Sequence, residues 1–356
     1  MSLTATKALI EKLCAAFGPS GLEDEVARVI IDEVGELATP FTDRMGNVIY
    51  RMSFGNEANR KKIMVSAHMD EVGFMINDIK SSGLLGFGTV GGISETVMAG
   101  RRVKVLGKDG YLEGLIASKA IHHKDKKERE KTVSPDKLYI DIGARDKETA
   151  EQYVGIGDCA VFQSEFYEFG DGMLKGKALD DRMGCAAMIE MMRSLRKDPP
   201  KTDVDVYFCF TVREEIGQSG AKAAAFRIRP DIALVLETTA IADIADVPAS
   251  GKVANVGSGA VISLMDRSTI YDKALIALAM DISKKTGVAA QIKRYVSGGN
   301  DAGTIHRTAE GIKTLAISVP TRYLHSAACV ASIKDYVSVR DLCEQIIRSE
   351  RVQEEI

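Results

Sequence analysis

The chain has 356 residues, 45% hydrophobic and 27% charged, with a formal net charge of −3. That is globular composition, long enough for one large domain plus a smaller one, and it carries no bulk attraction for nucleic acid or an anionic membrane. No apolar run approaches the ~20 residues that span a bilayer. The N-terminus lacks the pattern of a signal peptide. The six cysteines (Cys14, Cys159, Cys185, Cys209, Cys329 and Cys343) form no CxxC pair. Scattered cysteines of this kind are small core residues of a reducing compartment, so a cytoplasmic location is expected.

Residues 3–17 read as an amphipathic helix. A Gly/Pro turn leads to a second helix with Val26, Val29, Ile30 and Val34 at helical spacing. "GNVIYRMSF" and "KKIMVSAHMDEVGFMI" read as strands. From about 83 to 166 the texture changes to short β runs broken by Gly and Asp, with no long amphipathic helix among them. This predicts a small module of barrel type, its strand edges exposed, inserted at 72–166 into an α/β domain formed by 1–71 and 167–356. "HHKDKKEREK" (122–131) is very polar and reads as a solvated loop, with His122 and His123 on the surface. After 167 the α/β rhythm returns. "DDRMGCAAMIEMMRSLRK" has Met183, Ala187, Met191 and Leu195 on one helix face. "DVDVYFCFTV", "DIALVLET" and "IKTLAISVP" read as strands; "GAKAAAFRI", "YDKALIALAMDISKKTG" and "IKDYVSVRDLCEQIIRSE" read as helices.

Strand–helix alternation predicts a mostly parallel central sheet covered on both faces. Ligands of such sheets bind beyond the carboxyl ends of the strands. His68 and Asp70 follow one apolar strand, Glu214 and Glu215 a second, and Glu237 a third; His325 comes a short loop after a fourth. Asp180 and Asp181 sit at the start of the 181–196 helix. Two histidines and several carboxylates, with no cysteine, make a hard-to-borderline ligand field suited to Zn2+, Co2+ or Mn2+. So many acids exceed the needs of one ion, and two divalent ions sharing a bridging carboxylate would use five ligands and leave one carboxylate free as a base. Each feature also has a plainer reading: His68 as a satisfied structural histidine, Glu214–Glu215 as a solvated strand end, Asp180–Asp181 as a helix cap. Their convergence on one sheet edge favours the site.

The segments "SAHMDEVGFM", "GKALDDRMGC", "TVREEIGQSGA", "LETTAIAD", "SGGNDAG" and "RYLHS" span residues 66–326. In that order and combination the sequence resembles the M42 family of dinuclear-metal aminopeptidases, which includes the tetrahedral aminopeptidases. The resemblance implies that His68 and Glu237 bind a first metal, that Asp180 bridges, and that Glu215 and His325 hold a second. It gives Glu214 the role of general base on a bridging water, Asp70 that of accepting the other imidazole N–H of His68, and the Asp180–Asp181 peptide a cis geometry, with Asp181 capping the helix. Many relatives carry Asp where this chain has Glu237. Two divalent ions per subunit, Zn2+ or Co2+, are implied. The loop 297–303 is glycine-rich without the GK[ST] ending of a phosphate loop; by resemblance it lines the substrate pocket, making Ser297, Asn300 and Asp301 pocket candidates, with Arg267 another. Glu214, Glu237 and Asp301 are alternative acceptors for a peptide's α-amine. His306 reads as structural. The implied activity is removal of N-terminal residues from short peptides, in a homo-oligomer that dimerises through the inserted module and in many relatives forms a twelve-subunit tetrahedral shell. Acidic, aliphatic and basic preferences all occur in the family. The competing readings are a deacylase or glycan-active hydrolase on the same metal core, and a metal-stabilised peptide-binding shell without activity. A glycosidase needs a carboxylate pair around a sugar, not histidine ligands.

Overall fold

A computed structural model of the chain describes residues 2–123, 125–126, 132–248, 251–293 and 296–354. The polar loop expected at 122–131 therefore lies largely outside the described residues; His122 and His123, at its start, are exposed.

Helix α1 (Leu3–Ala15) begins where the Ser2 hydroxyl accepts the N–H of Ala5, and it buries Leu9, Ile10 and Leu13. In α2 (Asp24–Val34), Val26, Ile30 and Val34 form the buried stripe, four residues apart. Strands β1 (Pro40–Thr42), β2 (Val48–Phe54) and β3 (Lys61–His68) follow. The segment from Lys61 to Ile76 forms two strands, the first ending where the apolar run expected before His68 and Asp70 stops. β3 ends at His68, and β4 (Gly73–Ile79) departs into a different sheet after a four-residue break. The polar His68, Asp70 and Glu71 mark the break, and Gly73 allows the close approach that follows: a Cβ there would meet the carbonyl oxygen of Ala160 at 2.7 Å.

β4 joins β5 (Leu85–Val90), β6 (Arg102–Gly107), β7 (Gly110–Ser118), β8 (Leu138–Asp141) and β9 (Cys159–Phe162) in a closed barrel of order β4-β5-β8-β7-β6-β9. Its core includes Phe74, packed edge-on against Phe87 and Phe162 with ring centroids 5.1 Å apart. The exposed strand edges expected of this module are absent from the path of the barrel, because pairing of β4 with β9 closes it. A seven-residue helix, α3 (Lys147–Tyr153), lies between β8 and β9.

The chain then returns to the larger sheet through β10 (Tyr167–Phe169), β11 (Met173–Gly176), α4 (Leu179–Lys197), β12 (Val204–Thr211), α5 (Ser219–Ile228), β13 (Ile232–Ala240), β14 (Ala260–Ile262), α6 (Lys273–Thr286), β15 (Ala290–Ile292), α7 (Ala302–Ile305), β16 (Lys313–Arg322), β17 (Cys329–Ser332), α8 (Ile333–Arg348) and α9 (Arg351–Glu354). Among the described residues the sheet has eleven strands, in the path β1-β2-β12-β3-β13-β16-β17-β11-β10, with β14 paired to β16 and β15 to β14 off that path. Parallel pairing along that path is confined to the central β12, β3, β13 and β16; its flanks are antiparallel. The expectation of a mostly parallel sheet thus holds for the centre, where helical crossovers force it, and not for hairpin-fed edges. One core cluster joins the sheet to α1, α2, α4, α6 and α8, and another to α5 and α7. α4 is buried on nearly every side from Asp181 to Met192, as its run of Met, Ala and Cys requires. All six cysteines are buried and free. Among the described residues no helix is long and apolar enough to cross a membrane.

Candidate active site

The parallel strands set one level for the site. His68 on β3 is in register with Thr211 on β12, and Ser66 with Val235 on β13. Two residues further on, the same face of β13 presents Glu237 beside His68. Glu237 is itself in register with Ser318 of β16. Beyond β12 the chain turns at Arg213, whose φ is 59°, so that Glu214 and Glu215 leave in different directions. Asp180 enters from the N-terminal end of α4, where it and Asp181 have non-helical φ/ψ and their peptide bond is cis. His325 comes from the loop between β16 and β17, with φ 56°.

The five side chains meet around the Asp180 carboxylate. Its Oδ1 lies 3.3 Å from His68 Nε2 and its Oδ2 3.3 Å from His325 Nε2. Glu237 Oε1 is 3.5 Å from His68 Nε2, and Glu215 Oε1 is 3.3 Å from His325 Nε2. Donors about 2.0–2.1 Å from a shared tetrahedral cation stand roughly 3.3 Å from one another, so these spacings fit two neighbouring coordination shells that share Asp180. Asp180 Oδ1 is moreover buried with no hydrogen-bond partner among the described residues. One ligand atom each from His68, Asp180 and Glu215 lies within 4.8 Å of the others, and so does one each from His68, Asp181 and Glu237. Asp181 splits its roles. Its Oδ1 accepts the N–H of Gly184 at 3.0 Å, the expected cap, while Oδ2 is buried with no hydrogen-bond partner among the described residues.

The charge balance points the same way. Asp180, Glu214, Glu215 and Glu237 have no Lys or Arg within 4 Å among the described residues. Burial pushes Glu214 well above the usual carboxylate range, and burial with the neighbouring Asp180 pushes Glu237 up to about 8. Burial also works against the charge of Asp180, yet the imidazoles of His325 and His68 hold it well below that range. Burial would push His325 down, but Asp180 and Glu215 override it and carry it up to about 12. Buried carboxylates crowded in this way either take up protons or sit beside cations.

Both imidazoles are fixed on their far side by main-chain carbonyls. His68 Nδ1 is 3.0 Å from the carbonyl oxygen of Asp70, and His325 Nδ1 is 2.6 Å from that of Gly92, in the loop that follows β5 of the barrel. The Asp70 carboxylate, expected to accept the N–H of His68, is farther, at 3.4 Å. It accepts instead the N–H groups of Glu214 at 2.9 Å and Glu215 at 3.1 Å, together with the Ser20 hydroxyl at 2.5 Å. Gln218 donates to Glu214 at 3.2 Å. Close by, a buried Glu71 pairs with Lys177 at 2.6 Å and Arg182 at 3.3 Å, and Arg182 also ties down the carbonyl groups of Leu13 and Met69.

A cavity of about 340 Å3 opens over the cluster, lined by Asp180, Glu214, Glu215, Glu237 and His325 and by Ser297 and Asn300. Two other pocket candidates fall elsewhere. Arg267 is exposed, and its N–H holds the Gly298 carbonyl at 3.0 Å. Asp301 is buried away from the cavity wall, accepts the Thr211 hydroxyl at 2.6 Å, and is pushed up to about 6 by burial. The His306 ring donates through Nδ1 to the Ala302 carbonyl at 2.7 Å, one turn back in α7, a structural contact. The sequence reading missed Gly92, Ser20, Thr238 and Lys293. Only Lys293, a charge directly after the β run at 290–292, carried a readable signal.

A model of the M42 glutamyl aminopeptidase family matches residues 46–342. A putative aminopeptidase of Acetivibrio thermocellus is 39% identical over 329 residues, 92% of this chain and 94% of its own. The crystal structure of a TET aminopeptidase from a marine sediment Thaumarchaeota archaeon superposes with a TM-score of 0.94 at 34% identity, covering 99% of this chain and 98% of that one. The TET1 peptidase of Pyrococcus horikoshii, which can assemble into a tetrahedron or a large octahedral shell, gives a TM-score of 0.85 at 32% identity over 96% of this chain and 98% of its own.

Proposed function

Because the chain belongs to the M42 family of aminopeptidases, we propose that it removes N-terminal residues from short peptides with two divalent ions, Zn2+ or Co2+, held by His68, Asp180, Glu215, Glu237 and His325. The observation that carries this reading is the Asp180 carboxylate, which turns one oxygen to each histidine at 3.3 Å. Divalent ions bound there supply Lewis acidity toward the scissile carbonyl and lower the pKa of water. Glu214 takes the proton of the attacking water and returns it to the leaving amine, as general base and then general acid. Burial, which raises its proton affinity, suits it to hold that proton between the two steps. Asp70 keeps Glu214 and Glu215 pointing apart by gripping their N–H groups. The homo-oligomer reading follows the assembly of the Pyrococcus horikoshii relative, and we assign the contacts between subunits to the inserted module at 72–166.

The test is Glu214→Gln. Metal content and melting temperature are expected to stay near wild type, while turnover of aminoacyl-p-nitroanilides falls by about 10²–10⁴-fold. Near wild-type turnover, or a metal content below two ions per chain in the fully loaded wild type, would remove the reading.

A further inference from the structure

Helix α5 is too short for the sheet face it covers. Its ten residues span about 15 Å, whereas the eight of β12 beneath it span about 26 Å. α5 packs Ala221, Ala224 and Ala225 onto Ile49, Met64 and Cys209. Two residues farther from the Asp180 cluster on the same face, Arg51, Lys62 and Tyr207 are left partly open. There they line a cavity of about 310 Å3, with Phe41 and Ile49 on the sheet and Arg227 and Ile228 on the helix. Its walls hold three cations, two aromatic rings and no acid. Arg51 is neutralised by Asp205 at 2.7 Å, which also accepts the Ser53 hydroxyl at 2.6 Å. Lys62 gives its ammonium to the Ile228 carbonyl at 3.1 Å, at the end of α5. Arg227 lies over the Phe41 ring, 3.9 Å from its centroid. Among the described residues its guanidinium has no hydrogen-bond partner, and no carboxylate lies within 4 Å of it or of the Lys62 ammonium.

We propose that this cavity binds a small aromatic carboxylate, at a site separate from the Asp180 cluster. Its volume stands at the lower end of ligand pockets, and an apolar lining with a few charged groups is what such pockets share. The space suits one ring with a short acidic arm. The ring packs among Phe41, Ile49 and Tyr207, and the carboxylate takes charge-assisted hydrogen bonds from Arg227 and Lys62. Cations in the walls turn away an ammonium, so neither a free amino acid nor the amine end of a peptide is a ligand here. Lys62 and His68 stand six residues apart on β3, about 20 Å of strand, so an occupant leaves the cavity over the cluster free.

The experiment titrates the metal-loaded protein with phenylacetate, acetate and phenethylamine, by calorimetry or saturation-transfer NMR. Phenylacetate is expected to saturate with a Kd at or below about 1 mM. Acetate, which lacks the ring, and phenethylamine, which carries the opposite charge, should bind at least about 10-fold more weakly. Arg227→Gln should weaken phenylacetate by about 10- to 100-fold, and Arg227→Lys by less. Arg229→Gln removes a cation from the same helix end outside the cavity wall and should leave the Kd unchanged. No saturable binding of phenylacetate, or equal binding of phenethylamine, overturns the proposal. So does a phenylacetate Kd that Arg227→Gln does not move, which would put the carboxylate at the Asp180 cluster instead.

Discussion

Asp70 is the residue through which the backbone shapes the chemistry. Its two oxygens accept consecutive N–H groups, those of Glu214 and Glu215, and so hold apart two adjacent side chains with different tasks. Asp70→Asn replaces one acceptor with an amide that cannot accept. We expect it to lower kcat/KM by about 10- to 100-fold, the cost typical of losing a group that orients metal ligands, with weaker metal retention on dialysis; an unchanged rate would show that the grip is dispensable. The clustering of His68, Asp180, Glu215, Glu237 and His325 was legible in the sequence because their chemistry is written in the side chain; Asp180 stands at a helix start and the other four at or near the end of an apolar run. The actual acceptors of the two imidazole N–H groups were not. They are main-chain carbonyls, which every residue owns, and one of them is 233 positions away.

Among elements, the central strands and long helices followed from periodicity, since each buries a continuous apolar face. The end of β3 was marked by the polar His68, Asp70 and Glu71; that β4 then leaves for another sheet was not, because Gly73 meets Ala160 only in the fold. Closure of the barrel was equally silent, being a matter of pairing between strands more than 80 residues apart. Helix α8 carries a pH-dependent contact in its first turn. Asp335 accepts the N–H groups of Gly257 and Gly259 at 2.6 and 2.7 Å, and burial pushes it from 3.8 up to about 6. Its folded form therefore keeps the proton to higher pH than the unfolded chain does. Between those two values the folded state binds more protons, so this residue's contribution to stability falls as pH rises through the window and is flat above it. The melting temperature of wild type minus that of Asp335→Asn should decline from about pH 4 to about pH 6 and then level off; a difference that grows over that range would contradict the assignment.

At the scale of the molecule, an α/β sheet and a closed barrel grow from one chain, and residues from both meet over the cluster. If the chain assembles as the twelve-subunit relatives do, its native mass is about 460 kDa, twelve copies of a 38.5 kDa chain. Light scattering on the purified protein measures this directly, and a mass of one chain at micromolar concentration would rule out the assembly. The hydrogen bond from His325 to Gly92 has a bearing on any attempt to build a minimal enzyme. Cutting out the barrel and splicing β3 toward β10 would spare every acidic side chain around Asp180, yet it would leave one imidazole free to spin. On the two-ion proposal, a pared-down protein of that kind should hold one cation and let the other slip away.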